Sequence, residues 1–262
     1  MRQFIEKYRI FFQPVVVSFY FIVYMTLLDG DRNWMTFLPL IAFALGLDAT
    51  LKRFSRGKWE FPLPGITTGI ASIMILRATY FSWPYYFAIA LGLGSKHVFR
   101  DERKQHIFNP AALGILAAVS LFPDIIHIHM RQWAIPLPLY VVMFFLGSFV
   151  TVVNRKWRLT LSYLLAIVVL RALWGVATGH SLAYAIGAIA SLNTLIFAFH
   201  MITDPKTSPK SEHGQLVYGL MLALVDFGLR TGEFPFSAIL SICLVNALVN
   251  PWRERWPLMR GA

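Results

Sequence analysis

The residues of this 262-residue chain best suited to chemistry fall in three short segments. They are Phe61-Pro62-Leu63-Pro64-Gly65, His106-Ile107-Phe108-Asn109-Pro110-Ala111-Ala112-Leu113-Gly114 and Met201-Ile202-Thr203-Asp204-Pro205-Lys206-Thr207-Ser208-Pro209. Each interrupts an apolar stretch with prolines and hydrogen-bonding side chains. Asn109-Pro110 reads as a helix start. Asn is a strong N-cap, Pro is favoured in the first turn, and the residue before Pro is pushed out of the α region. Asp204-Pro205 can be read the same way. A helix N-terminus offers free N–H groups and a partial positive charge, which suit a phosphate, a carboxylate or a reduced flavin or quinone. As ordinary caps the same pairs carry no chemistry, and for either pair alone that is the commoner outcome.

Buried charge is the second signal. Arg171 and Asp226 lie deep in apolar runs at similar depth. Ionisable groups there are costly and face a partner or a cavity, so the two are expected to pair, as a structural bridge or as part of an ion or proton path. Asp48 stands four residues before Lys52, and Asp226 four before Arg230, so each can also pair along its own helix. His97 and His200 near span ends would permit a b-type haem, although interfacial histidines are common without one. His127 and His129 fall in a loop. The single cysteine, Cys243, excludes an internal disulfide and a cysteine-based metal or iron–sulfur site. No HExxH, phosphate loop or nucleophile–base pair occurs, so neither a metal site nor hydrolysis is expected.

The elements that must position these residues are apolar helices. The chain is 57% hydrophobic and 14% charged, against about 45–50% and about 25% in soluble domains. Apolar runs at 10–28, 34–51, 63–78, 81–99, 110–123, 133–153, 159–179, 182–204, 215–232 and 235–252 predict an all-α membrane protein of ten transmembrane helices. The third and fifth runs are short for a full crossing and read as less tilted or incomplete helices. The first run contains Pro14 and ends at Asp29-Gly30-Asp31, unlike a cleavable signal. Nearly all Lys and Arg fall at the N-terminus, in alternate loops and at the C-terminus. The intervening loops hold only Arg32, Arg77, Arg131 and Arg230. Positive charge stays inside, so both termini are expected in the cytoplasm and the protein in the inner membrane, multi-pass. This asymmetry also accounts for the net charge of +11 without nucleic acid. Loops are short, so 1–262 is expected to form one integral membrane domain. Ten spans permit two inverted five-helix repeats, 10–123 and 133–252.

At the same segments the chain resembles the RnfD/NqrB membrane-subunit family. Phe61–Gly65, Lys96-His97-Val98-Phe99, His106–Gly114 and Phe197–Pro209 are similar to its PLP, K…FNP and TDPxTSP blocks, in the same order. The compact size and the form TDPKTSP look closest to a short, stand-alone, UnbU-like branch. The resemblance implies ten helices in two inverted halves, reminiscent of urea channels, in a bacterial inner membrane. It also implies electron transport, flavin, and either partner redox subunits or a flavin-carrying protein. Family members hold FMN covalently on the threonine of an SGAT-type motif, and some hold a non-covalent riboflavin. No SGAT occurs here, and the loop 122–133 contains neither Ser nor Thr, so no covalent FMN is expected there. What the resemblance leaves is a non-covalent riboflavin or FMN on Lys96, His106, Asn109, Thr203, Asp204, Lys206, Thr207 and Ser208, with Lys96 or Lys206 balancing a reduced ring. Two other readings stay open: a small-solute or ion transporter or channel of the same fold, and a membrane scaffold for a redox or biosynthetic partner.

Overall fold

The computed structural model describes residues 2–23, 25–26, 34–78, 82–102, 104–128, 137–187, 189 and 191–252. Arg32, Arg103, His129, Arg131, Arg253, Arg255 and Arg260, which enter the charge count and the loop reading above, lie outside the described residues. Eleven α-helices and one two-stranded ribbon occur among the described residues. The chain divides into two compact units. One comprises Met1–Arg100 and Phe108–Gln132, the other Asp101–Ile107 and Trp133–Ala262.

The first unit contains α1 (Arg2–Val23), α2 (Trp34–Arg56), α3 (Leu63–Ile75), α4 (Trp83–Val98) and α5 (Pro110–Leu121). Asn109 opens α5 as the Asn-Pro pair predicts: its backbone is extended and its side chain accepts from the Ala112 N–H at 3.0 Å. Close approach of α4 and α5 depends on missing side chains. A Cβ on Gly92 would stand 2.4 Å from the Pro110 carbonyl, and one on Gly114 2.1 Å from that of Ala88. Small residues at such a crossing let backbones touch where lipid gives no hydrophobic drive. Asp48 is buried between two cations, Lys52 at 3.0 Å and Lys96 at 3.2 Å, so the predicted Asp48–Lys52 pair is present and α4 joins it.

The unit departs from an all-helical expectation in one place. β1 (Leu76–Ala78) pairs antiparallel with β2 (Ile126–Ile128), Leu76 opposite Ile128 and Ala78 opposite Ile126. The Tyr85 hydroxyl braces it, donating to the Leu76 carbonyl and accepting from the Ala78 N–H, each at 3.1 Å. The ribbon explains the two short runs. With 13 and 12 residues, α3 and α5 fall short of the roughly 20 that cross a bilayer. Helix α3 runs straight into β1 and α5 is followed by β2 after the turn 122–125, and the two strands satisfy one another's N–H and C=O groups, as apolar surroundings require.

The second unit contains α6 (Leu137–Val153), α7 (Trp157–Thr178), α8 (Leu182–Gly187), α9 (Leu192–Ile196), α10 (Glu212–Thr231) and α11 (Ser237–Val249). Helix α7 buries Leu159, Tyr163, Ile167, Arg171 and Gly175 at four-residue spacing, and α10 packs along that stripe. Gly219 of α10 makes this possible, since a Cβ there would lie 2.7 Å from the Leu159 carbonyl. The eighth run is not the single helix expected. It is α8, then α9, then a π-helical turn over Phe197–Met201. Gly187 ends α8, and Ser191 is extended, capping α9 through the Thr194 N–H. A π turn disturbs the regular carbonyl partners of a helix. Two hydroxyls meet that demand here: Thr160 donates to the Ala198 carbonyl at 2.8 Å and Thr203 to that of Phe199 at 2.6 Å. The other nine runs each contain one α-helix. By length and composition α2 and α7 suffice to cross a membrane.

Candidate functional site

The segment after the π turn is a compact polar knot rather than a helix start. Asp204 does not cap a helix. Its carbonyl accepts the N–H groups of Thr207 (3.2 Å) and Ser208 (3.0 Å) and the Ser208 hydroxyl (2.6 Å). Its Oδ1 accepts the Lys206 N–H at 2.9 Å. An aspartate that bonds to backbone two residues on offers the chain an alternative to helix, which is why Asp-Pro forms a turn here. Helix α10 begins only later, capped by Ser211 through the Gly214 N–H at 3.0 Å.

Three neighbours fix this knot. His106 Nε2 lies 3.3 Å from Asp204 Oδ2, with both side chains largely shielded. Lys156, 4% exposed, donates to the Pro209 carbonyl at 2.6 Å and the Ser208 carbonyl at 3.4 Å. Gln215 of α10 donates to the Lys210 carbonyl at 3.5 Å, at the end of the segment, and to the Arg155 carbonyl at 2.9 Å, where Arg155 holds the left-handed φ of 55° that turns α6 into α7. Residues 101–107 are tied in from the other side. The Asn250 amide donates to the Ile107 carbonyl at 2.6 Å and to Asn246 Oδ1 at 3.0 Å, and Tyr218 bonds to the same Asn246 oxygen.

The eight predicted site residues therefore separate. His106, Thr203, Asp204, Lys206, Thr207 and Ser208 belong to the second unit; Lys96 and Asn109 belong to the first. Lys96 faces Asp48, so its charge has a carboxylate partner, and Asn109 caps α5. Thr203, Thr207 and Ser208 are buried, and the Thr203 and Ser208 hydroxyls are engaged by backbone carbonyls. Lys206 is exposed and Asp204 half-buried. His97 and His200 fall in different units.

The second unit is also where a known family matches. Residues 138–254 match the NQR2, RnfD, RnfE family. The D component of an ion-translocating oxidoreductase complex from Methanosarcina acetivorans is 25% identical over 231 residues, covering 80% of this chain and 76% of its own. The chain is similar to the RnfD/NqrB family. The corresponding component from Klebsiella pneumoniae is 28% identical over 95 residues, 36% of this chain and 27% of its own length. That from Aliivibrio salmonicida is 27% identical over 111 residues, 41% and 32%. The stretch matched to the RnfD-like family contains the Asp204 knot, the π turn, and Arg171 and Arg230 of α7 and α10.

Asp226 and Arg171 do not pair as their depth predicts. Asp226, fully buried, accepts the Tyr163 hydroxyl at 2.8 Å and sits 3.0 Å from Arg230 Nε. The helical i,i+4 neighbour wins because it is already held within reach of the carboxylate. Arg171 instead donates through Nε to the Ala185 carbonyl at 3.2 Å and stacks on Trp174 at 4.4 Å. Sequence reasoning missed Thr160, Lys156, Gln215 and the Asn246–Asn250 pair. Only the last left a signal: two asparagines four residues apart, Asn246 in α11 and Asn250 just past its end, within an apolar run.

Proposed function

We propose that this chain is a multi-pass inner-membrane subunit of a flavin-dependent electron-transport complex of the RnfD/NqrB type. The observation that carries this reading is the Asp204 knot. A helix connection in a lipid-embedded bundle needs only a cap and a turn. This one has a carboxylate, a histidine and a buried ammonium fixing its shape, inside the stretch matched to the family. Such rigidity suits an element that must present one fixed surface to a cofactor or a partner protein.

The residues fit a non-covalent flavin in one way. The hydroxyls of Thr203 and Ser208 set the backbone, while contact with a ring or phosphate would fall to Lys206 and to the His106–Asp204 pair. A bound flavin would supply electron transfer. The chain's own groups would orient it, with Lys206 placing positive charge beside the reduced ring. Covalent attachment at 122–133 is not part of the proposal, since no hydroxyl of Ser or Thr stands in that loop. The test is affinity purification of the tagged chain from native membranes in mild detergent. Co-elution of flavin- or iron–sulfur-carrying subunits is expected. A chain that elutes alone from membranes where such subunits are abundant would contradict the reading.

The broken eighth run favours a second reading, passage of a small solute or ion. Interrupted helices line binding sites in many transporters, and α8, α9 and the π turn are such an interruption. Solute flux in proteoliposomes containing this chain alone would support it over the redox reading.

A further inference from the structure

Arg171 is 7% exposed, yet among the described residues no carboxylate pairs with it. Its Nε is taken by the Ala185 carbonyl, and neither terminal nitrogen donates to a described residue. Arg230 and Asp226 lie within electrostatic reach, but the Asp226 carboxylate already serves Arg230 and Tyr163. Two guanidinium groups therefore stand near one carboxylate, which bonds to Arg230 and not to Arg171. An uncompensated charge is costly in apolar surroundings, and a residue held that way is a functional site by default.

The guanidinium is also oriented. It stacks on Trp174 at 4.4 Å, Trp174 on His180 at 4.9 Å and 16°, and His180 on Tyr184 at 4.9 Å and 17°. The Thr178 hydroxyl sits 2.7 Å from His180 Nδ1 and fixes that ring. A guanidinium with one face on an indole and its Nε bonded has its plane set, leaving the fork of terminal N–H groups presented edge-on. That fork matches the two oxygens of a carboxylate or phosphate.

We infer that Arg171 is the receptor of an oxyanion, a carboxylate or phosphate, bound by the terminal N–H fork and entering from the Gly179 end of α7, the side the charge count places outside the cytoplasm. Either a dissolved anion or the phosphate of a lipid headgroup offers this chemistry. Binding supplies the negative charge the cluster lacks.

The test uses the full chain. Thermal unfolding is followed in detergent with sodium phosphate or sodium acetate against sodium chloride at equal ionic strength, and in nanodiscs of phosphatidylglycerol against phosphatidylcholine. The wild type is expected to gain about 2–4 °C, the size of a binding term near 1 kcal/mol for a chain of this length. A gain with phosphate or acetate identifies a dissolved anion; a gain with phosphatidylglycerol alone identifies a headgroup. Arg171→Lys keeps the charge and loses the fork, so the gain should shrink or vanish, and Arg171→Gln should abolish it. Absence of any gain in the wild type, or an equal gain in Arg171→Gln, overturns the proposal. Should both variants fail to fold, the wild-type series decides alone.

Discussion

His106 Nε2 stands 3.3 Å from Asp204 Oδ2, joining the short segment 101–107 to the turn that follows the π helix. This contact unites two of the three polar segments that interrupt the apolar sequence. It gives the Asp204 knot a side-chain partner from outside its own loop. The other fixed points, Lys156 and Gln215, come from the α6–α7 turn and from α10.

If the knot positions a flavin, Asp204→Ala should lower flavin occupancy while expression survives. His106→Ala should do the same more weakly, since it leaves the Lys206 N–H bond to Asp204 Oδ1 in place. A hydrogen bond to a charged group contributes about 1.5–3 kcal/mol, so a loss of occupancy of about tenfold or more is expected for Asp204→Ala at limiting flavin. Flavin released per protein, measured by fluorescence after acid precipitation, checks it. Unchanged occupancy would remove Asp204 from the site.

Lys156→Met should loosen the 203–211 segment. The buried ammonium bridges the Ser208 and Pro209 carbonyls, and its loss leaves buried acceptors unmatched at about 1–3 kcal/mol. Faster trypsin cleavage after Lys206 and Lys210 in detergent, read by mass spectrometry, is the expected signature. Wild-type cleavage rates would show that Lys156 does not hold the turn.

Gly114→Ala should prevent the first unit from forming, because its Cβ would overlap the Ala88 carbonyl at 2.1 Å. Gly94→Ala, on the same α4 that Gly114 packs against, meets open space and should be neutral or stabilising by up to about 1 kcal/mol. Fluorescence-detected size exclusion of the two variants provides the comparison. Equal, monodisperse peaks would contradict the packing described for α4 and α5.

Arg230→Ala should be strongly destabilising, by about 3–5 kcal/mol, because it strands the Asp226 charge. Arg230→Ala combined with Asp226→Asn should recover much of that loss. Asp226→Asn should not rescue Arg171→Ala, since Arg171 and Asp226 have separate partners. Unfolding midpoints of the singles and doubles form the cycle. Rescue of Arg171→Ala would restore the pairing expected from depth alone.

Much of the helical framework was legible because apolar runs leave little choice of structure in lipid. Asn109 was legible as a cap because capping is local. What was not legible depended on partners distant in sequence. β1 looks like the tail of an apolar helix and β2 like part of the 122–133 loop, and only their mutual pairing makes them strands. Asp204-Pro205 shares the dipeptide logic of Asn109-Pro110, yet the Asp204 side chain turns to the Lys206 N–H and to His106 instead of capping a helix. Arg171 and Asp226 matched in depth, but the i,i+4 pair of Asp226 with Arg230, legible from its spacing, is the one that forms. Lys156 looked like one more basic loop residue, and nothing local indicated that its ammonium is buried against two carbonyls.

Participation of this RnfD-like chain in flavin-dependent electron transport is tested most directly by the absorption spectrum of the detergent-purified protein, before and after acid precipitation. A yellow protein is expected, with the bands of an oxidised flavin. Those bands should pass into the supernatant on precipitation, as the proposed non-covalent binding requires. A colourless protein that takes up neither FMN nor riboflavin on reconstitution, with or without its partner subunits, would contradict flavin-dependent electron transport by this chain.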